Sequence, residues 1–253
     1  MLNTRVIPCL LLQDGGIVKT TKFKKPRYIG DPINVVKILN EKEVDELIFL
    51  DIDASPNTNG PDYELIKTIT NECFMPFSYG GGISNLGHAE ALFNLGVEKV
   101  VIGSSVIDDK SLLTDISKKY GNQSVVATIN VKRDVFGRVR LYNPKNKKLV
   151  KIDLAAYCKC LVEAGAGEIF LNSVDNDGIK NGYDGEVIKI LSNAVSVPLT
   201  VCGGAGSLEH MRVAIKDFGA SAVAAGSLFV YHGNRDAVLV NYPEYSTLLD
   251  LFK

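Results

Sequence analysis

The chain has 253 residues, 46% of them hydrophobic, which is enough for one large core or two smaller ones. It carries 28 basic and 29 acidic residues, and this near-neutral balance gives no reason to expect a nucleic acid or an anionic membrane as partner. The five cysteines are an odd number without ligand spacing to histidine, which predicts a reduced, cytoplasmic protein with no metal or other cofactor.

The first quarter of the chain predicts two strands separated by a long polar segment. Arg5–Leu12 reads as an apolar strand that is too short to span a bilayer. Gln13–Pro32 is rich in lysine and arginine and is predicted to be a loop that covers a ligand. A helix is expected over Asn34–Lys42, followed by the strand Glu46–Asp53 and the Pro, Asn and Gly-rich loop Ser55–Asp62.

The remaining segments continue the alternation of strands and helices. Helices are predicted over Tyr63–Asn71, Ser111–Lys119, Asp153–Ala164 and Tyr245–Phe252, and a hairpin over Arg133–Lys151. Strands are predicted to begin near residues 5, 46, 75, 99, 124, 168, 198 and 222. Eight strands in regular alternation with helices favour a (β/α)8 barrel, an α/β fold in which residues 1–253 form one domain.

One pattern occurs twice, in Pro76–Ser105 and in Pro198–Ser227. Each copy runs from a strand through a Gly-Gly pair, a helix with Leu and His, and a second strand to Gly-Ser. The repeat predicts two duplicated half-barrels. An isolated glycine pair is explained by a tight turn, but neighbouring Gly-Gly and Gly-Ser loops also present amides suited to phosphate. Two copies therefore predict a ligand with a phosphate at each end.

Acid and base chemistry in such a barrel requires titratable groups where the strands end. Two of these positions carry Leu11 and Asn130, which do not titrate. The polar candidates that remain are Asp51, Asp53, Asp175, Asp177, Lys19 and Lys132. Each could equally be a helix cap or an ion-pair partner.

At the opposite end of the predicted barrel, four charged residues each begin a strand. They are Arg5, Glu46, Lys99 and Glu168. Charges that enter the barrel interior must pair, so these four are expected to form a neutral ring. The ring is either a stabilising plug or a gate on a passage through the barrel.

The chain resembles the HisF family, the cyclase subunits of imidazole glycerol phosphate synthase, which are ribulose-phosphate-binding barrels. The resemblance covers nearly the whole chain, and the histidine-pathway isomerase barrel is a looser relative. The segments that carry it include IPCLLLQDGGIVK, DELIFLDI, FSYGGGIS, EKVVIGSS, AGAGEIFLNSVDNDGIKNGYD and VCGGAGSLEH.

The resemblance implies a passage for ammonia along the barrel. A HisH-like glutaminase would dock near Glu98 and Gln123 and release ammonia through a gate formed by Arg5, Glu46, Lys99 and Glu168. The ammonia would reach a bisphosphorylated ligand at the other end. The implied phosphate-binding residues are Gly82, Gly103, Ser104, Asp177, Gly178, Gly204, Gly226 and Ser227, although the family usually has Asn-Thr where this chain has Gly103-Ser104.

The chain departs from the family at both catalytic aspartates, which correspond to Leu11 and Asn130. Without a general acid and a general base, efficient cyclisation is not expected. Substitute groups would have to come from Asp14, Asp51, Asp177 or Lys19.

Three functions remain open after this comparison of motifs. The chain could be a HisF-like paralogue that passes ammonia to a separate amidotransferase acting on a surface-polysaccharide sugar. It could instead be a cyclase of histidine biosynthesis, converting the bisphosphorylated aminoimidazole precursor (PRFAR) and ammonia to imidazole glycerol phosphate and AICAR. A structural scaffold without ammonia traffic is the third alternative, and it leaves the retained ring of charges unexplained.

Overall fold

The protein is a closed barrel of eight parallel strands, as predicted. A computed structural model describes residues 4–54 and 60–253. The barrel strands are β1 (Arg5–Gln13), β4 (Leu47–Asp51), β5 (Phe77–Gly80), β6 (Lys99–Ile102), β7 (Val125–Arg133), β10 (Glu168–Ser173), β11 (Leu199–Cys202) and β12 (Ala222–Ala225). They lie side by side in this order, and β12 pairs with β1 to close the circle.

Helices surround the barrel on its outside. Most of them begin at a side chain that accepts a hydrogen bond from the first turn, as Asp31, Asp62, Asn85, Asp153, Asp184 and Ser207 do. The α-helices in the described part of the chain are Pro32–Glu41, Tyr63–Glu72, Leu86–Asn94, Ser111–Tyr120, Leu154–Glu163, Gly185–Ser192, Leu208–Lys216, Ser227–Val230 and Tyr245–Phe252.

Side chains alternate between the two faces of each barrel strand. On β1, Val6 and Leu10 point outward into the large core between barrel and helices, whereas Ile7 and Cys9 belong to a separate inner cluster. Arg5 and Leu11 continue the inward set at the two ends of the strand. The strand period therefore places charged, apolar and ligand-facing residues at successive levels inside the barrel.

Two antiparallel hairpins extend the sheet beyond the carboxyl ends of the strands, here called the top. The segment predicted as the loop Gln13–Pro32 instead contains strands β2, Gly16–Thr21, and β3, Lys24–Gly30, because β1 continues upward and pairs with β2. The second hairpin, predicted over Arg133–Lys151, is confirmed as β8, Val139–Asn143, and β9, Lys148–Val150.

Several other elements differ from the sequence-based expectations. The predicted loop Ser55–Asp62 falls mainly on residues 55–59, which lie outside the described residues. The helix Gly185–Ser192 follows the sixth barrel strand, where a helix was expected without assigned bounds, whereas the short strands β13, Tyr231–His232, and β14, Ala237–Val238, were not predicted. No helix in residues 4–54 and 60–253 has the length and apolar character needed to cross a membrane.

Candidate functional site

The lower mouth of the barrel, where the strands begin, holds the predicted ring of four charges. Arg5 Nη1 lies 2.5 Å from Glu46 Oε2, and Arg5 Nη2 lies 3.1 Å from Glu168 Oε1. Lys99 Nζ lies 2.8 Å from Glu46 Oε1 and 3.1 Å from Glu168 Oε2. Each cation thus contacts both carboxylates. We call these four residues the four-charge ring.

Burial and pairing in the ring act against each other. Both carboxylate side chains are only 7% exposed, whereas Arg5 is 29% exposed and Lys99 21%. Burial alone would raise the pKa of Glu168, but the charges of Arg5 and Lys99 outweigh it and leave that pKa below its ordinary value. Thr200 Oγ1 also donates a hydrogen bond to Glu168, at 2.5 Å. The ring is therefore a fully paired set of charged side chains.

Above the ring, the interior of the barrel is apolar. Inward-facing side chains from different strands form one buried cluster, comprising Ile7, Cys9, Ile48, Val101, Val126, Phe170, Cys202, Ala222 and Ala224. Most of its members come from strand positions above the ring, whereas Ala222 is in register with Arg5. We call this cluster the apolar lumen.

At the top, the lumen meets a cavity of about 400 Å³. Its middle is lined by Leu11, Leu50, Thr128, Asn130 and Asn172. Asn130 and Asn172 are register partners on the adjacent strands β7 and β10. The two positions expected to lack catalytic groups are therefore brought into one cavity, which we call the top cavity.

Most of the predicted phosphate-binding residues line the top cavity. They are Gly103, Ser104, Asp177, Gly178, Gly204, Gly226 and Ser227. Gly82 does not line it, because its backbone packs on Gly60, where an added Cβ would lie 2.6 Å from the Gly60 carbonyl carbon. The neighbouring Gly81 lines the cavity instead.

The possible substitute acids and bases differ in position. Asp14 is exposed and is absent from the cavity wall, because its positive φ of 49° turns the chain toward β2. Asp51 does line the cavity, and burial raises its pKa above the ordinary value although three hydrogen bonds oppose this shift. These bonds come from the N–H groups of Asp53 and Ala54 and from the Tyr79 hydroxyl. The Asp51 carboxylate is thus already engaged in hydrogen bonds within the protein.

Lys19 and Asp177 form a buried ion pair at the wall of the cavity. Lys19 Nζ lies 2.5 Å from Asp177 Oδ1, and both side chains are at most 10% exposed. The other carboxylate oxygen accepts hydrogen bonds from Thr20 Oγ1 at 2.7 Å and from Phe23 N at 3.2 Å. Asp177 therefore fixes the β2–β3 hairpin over the cavity.

The two hairpins meet above the top cavity. The ring of Phe23, at the tip of the first hairpin, makes an edge contact with Tyr142 of the second at a centroid distance of 6.2 Å. Phe23, Tyr142 and Lys145 all line the cavity. Sequence reasoning did not single out Phe23 or Tyr142, although their place in two segments expected to extend from the same end of the barrel was a usable signal.

The two residues expected at a glutaminase interface lie at the lower end. Glu98 precedes β6 and Gln123 precedes β7, and both are exposed. Gln123 Nε2 donates to the Tyr120 carbonyl at 3.0 Å. Within the described chain, no group of three or more His, Cys, Asp or Glu side chains is arranged to hold a metal ion.

Comparison with known proteins identifies the family. The family model "Histidine biosynthesis protein" matches residues 5–236. A Pseudomonas aeruginosa protein named "Putative imidazole glycerol phosphate synthase subunit hisF2" is 50% identical over 98% of this chain and 99% of its own length. The chain belongs to the HisF family.

Other HisF relatives also align along almost the whole chain. A Leptospira interrogans protein named "Putative imidazole glycerol phosphate synthase subunit HisF" is 48% identical over 96% of this chain and 96% of its own length. An Endomicrobium trichonymphae protein named "Imidazole glycerol phosphate synthase subunit HisF" is 39% identical over 91% of this chain and 88% of its own length. The alignments with these relatives therefore include nearly every strand and helix of this HisF-family barrel.

Proposed function

We propose that this chain is the barrel subunit of a glutamine-dependent amidation complex. A HisH-like glutaminase docks at the lower mouth, near Glu98 and Gln123, and ammonia passes the four-charge ring and the apolar lumen. A separate amidotransferase then uses the ammonia to amidate a sugar of a surface polysaccharide. Residues 1–253 act as one domain in this role, in the cytoplasm.

The observation that carries the proposal is the contrast between the two ends of the barrel. The lower ring has every charge paired, and the lumen above it is apolar. Such a passage suits neutral ammonia, because an ammonium ion would lose its hydration without gaining a counter-ion. The top cavity, in contrast, presents Leu11 and Asn130 where cyclisation needs an acid and a base.

The relatives fit a distinction between this chain and an ordinary cyclase. Two relatives at 48% and 50% identity have names marked as provisional, and one of these names ends in the number 2. The Endomicrobium relative, whose name is not provisional, is 39% identical. The chain is thus nearer to the two relatives with provisional names, although all three names are those of imidazole glycerol phosphate synthase subunits.

The alternative function is the cyclase itself, which forms imidazole glycerol phosphate and AICAR from PRFAR and ammonia. The names of the relatives favour it. Its chemistry would depend on Asp51 and Asp177, since these carboxylates line the cavity and Asp14 does not. Both carboxylates are already engaged in hydrogen bonds, which makes this the second candidate.

An assay with purified chain, ammonia and PRFAR separates the two functions. We expect turnover at least about 100-fold below that of a HisF cyclase with both aspartates, because a general acid or base typically contributes 10²–10⁴-fold. The double variant Leu11→Asp/Asn130→Asp should gain turnover, and each single variant serves as its control. Turnover by the unmodified chain at a normal cyclase rate would overturn the proposal.

A second assay tests the ammonia pathway directly. The chain is combined with a HisH-like glutaminase and a sugar amidotransferase, and amidated sugar is measured with glutamine as the nitrogen source. We expect the product to form only when all three proteins are present. Equal product formation without the barrel chain would exclude it from ammonia delivery.

A further inference from the structure

The turn between β7 and β8 holds two apolar side chains in solvent. Val135 is 94% exposed and Phe136 is 77% exposed, at the outer end of a hairpin that extends beyond the top of the barrel. Single exposed apolar residues are common in proteins, but turns usually carry Gly, Asn, Asp or Ser rather than two adjacent apolar side chains. The pair is therefore a candidate contact for another molecule.

Asp134 fixes the conformation of this turn. Its Oδ1 accepts hydrogen bonds from Phe136 N at 2.9 Å and from Arg138 N at 3.0 Å. Its Oδ2 accepts from the Nε atoms of Arg138 and Arg140, both at 3.2 Å. The backbone adds a hydrogen bond from Gly137 N to the Asp134 carbonyl. A turn that is already ordered loses little conformational freedom on binding, so its apolar pair is suited to a specific contact.

The ring of Phe136 also carries a cation. The guanidinium carbon of Arg138 lies 4.9 Å from the ring centroid. Aromatic and arginine side chains are enriched among the residues that contribute most to protein–protein binding. The composition of the turn thus favours a protein as the partner.

Six exposed lysines lie near the other end of β8. They are Lys22, Lys24 and Lys25 on the first hairpin and Lys145, Lys147 and Lys148 on the second. In the described part of the chain, no carboxylate forms an ion pair with any of them. The contact between Phe23 and Tyr142 brings the two groups of lysines together. Since the whole chain is nearly neutral, they form a local positive surface.

A phosphorylated ligand in the top cavity does not account for all six lysines. Lys145 and Lys147 line the cavity, whereas the other four do not. These four present their charge to solvent beside the cavity mouth. An acidic surface on another molecule would complement them.

The apolar turn and the lysines fit within one interface. Strand β8, Val139–Asn143, runs between them, and at about 3.4 Å per residue it spans roughly 17 Å. A standard protein–protein interface buries about 800 Å² on each partner, which is a patch roughly 30 Å across. We call Val135, Phe136 and the six lysines the hairpin surface.

The proposed function requires a protein at this end of the barrel. Ammonia that left the top cavity into water would take up a proton, and the resulting ammonium ion is not a nucleophile. A receiving enzyme must therefore cover the mouth of the cavity. The same two hairpins line that cavity through Phe23 and Tyr142.

We propose that the hairpin surface is the docking site of the sugar amidotransferase, which meets Val135 and Phe136 with an apolar pocket and the lysines with carboxylates. This inference rests on the proposed function. It adds to that function the face of the barrel, the residues that bind and the surface chemistry of the partner. Ammonia then passes from the top cavity directly into the docked enzyme.

Binding of the sugar amidotransferase to the complex of this chain with the glutaminase tests the apolar contact. Phe136→Ser should weaken binding at least about tenfold, as expected for a central aromatic contact. The exposed position of Phe136 makes unfolding of this variant no concern. Ile190→Ser is the matched control, because Ile190 is 50% exposed on the helix Gly185–Ser192 rather than on a hairpin, and it should bind like the unmodified chain.

The double variant Lys24→Glu/Lys148→Glu tests the charge, since neither residue lines the top cavity. Its association rate with the amidotransferase should fall by about tenfold at low salt, and the loss should shrink at high salt. The control is Lys67→Glu/Lys159→Glu, which makes the same change of charge at exposed positions on two outer helices. Its association rate should change much less.

Two activity measurements separate docking from other defects. Glutamine hydrolysis by the chain with its glutaminase, measured without the amidotransferase, should be the same in every variant. Glutamine-dependent amidation at a low amidotransferase concentration should fall together with binding. Amidation driven by added ammonium salt should not fall, because it does not require docking.

Unchanged binding in both Phe136→Ser and Lys24→Glu/Lys148→Glu would overturn the inference and leave the proposed function intact. A dimer of the unmodified chain that Phe136→Ser dissociates in sedimentation velocity would also overturn it, since the surface would then belong to a second copy. Failure of the unmodified complex to bind the amidotransferase would have the same consequence. Conversely, binding that these variants selectively lose, together with absent amidation by the unmodified chain, would overturn the proposed function alone.

Discussion

At the scale of single residues, the two mouths of the barrel follow different physical rules. Charges at the lower mouth are retained as complete pairs, since removing one partner leaves an uncompensated charge in a buried position. At the upper mouth, Leu11 and Asn130 replace titrating groups, and Asn172 presents an unpaired oxygen. The charges at the lower mouth are thus all paired, whereas the upper mouth lacks two titrating groups and has a buried oxygen without a hydrogen bond.

Glu168→Gln tests the cost of breaking the four-charge ring. Without this carboxylate, Arg5 and Lys99 share Glu46 alone, so the free energy of unfolding should fall by about 3–5 kcal/mol. Urea unfolding measures the change. The control is Glu90→Gln, which removes the carboxylate of an exposed pair with Lys119 and should leave the midpoint almost unchanged.

The pH dependence gives a second measure of the same carboxylate. Because the pKa of Glu168 in the folded protein lies below its ordinary value of 4.5, the stabilisation is complete above that value. It is lost as the pH falls through the lower, folded-state pKa. The unmodified chain should therefore lose stability more steeply than Glu168→Gln in this acidic range. Parallel curves for both proteins would contradict the assigned role.

At the scale of elements, the hairpins decide how the top cavity is enclosed. Three residues at the tip of the first hairpin, Lys22, Phe23 and Lys25, have positive φ, a conformation that L-residues seldom adopt. Asp177 holds this tip through the N–H of Phe23, and Tyr142 contacts the Phe23 ring. The cover is therefore fixed by contacts from two distant segments of the chain.

Phe23→Ala tests this cover. Losing the aromatic pair, worth about 1 kcal/mol, should raise the rate of tryptic cleavage at Lys22 and Lys24 by roughly fivefold. The rate is measured by mass spectrometry under native conditions. Phe136→Ala is the matched control, because Phe136 is 77% exposed at the turn before β8. If both variants were cleaved at the same rate, the Phe23 contact would not hold the hairpin.

At the scale of the whole molecule, the apolar lumen lies between the two mouths of the barrel. The inward set on β1 runs from Arg5 through Ile7 and Cys9 to Leu11. Equivalent positions on the other strands complete each level. Function is therefore expected to depend on the width of the lumen as well as on either mouth.

Ala224→Leu tests the lumen. The added carbons would enter the inner cluster and obstruct ammonia, so glutamine-dependent amidation should fall at least about tenfold while glutamine hydrolysis continues, at a packing cost of about 1–3 kcal/mol. Val223→Leu is the control, since the preceding side chain faces the outer core and does not line the top cavity. Similar losses of amidation in both variants would contradict a central path.

Sequence patterns predicted the height of a residue along the barrel better than they predicted which residues it contacts. Because Arg5 and Lys99 each begin a predicted strand, they were expected at one mouth, and the structure pairs both with Glu46 and Glu168 there. Asp14 looked equally well placed after its strand, but β1 continues into the hairpin and carries Asp14 past the cavity. The start of a strand can be recognised from local sequence. The extension of β1 beyond the barrel, in contrast, depends on its pairing with β2.

The sequence by itself determined the barrel, its duplication, the four charges at the lower mouth and the absence of titrating groups at Leu11 and Asn130. These properties depend on residue type and on the period of strands, which a sequence records directly. Only the tertiary structure decided that Gly81 rather than Gly82 lines the cavity and that Phe23 contacts Tyr142. Those properties arise from close contacts between segments far apart in the chain.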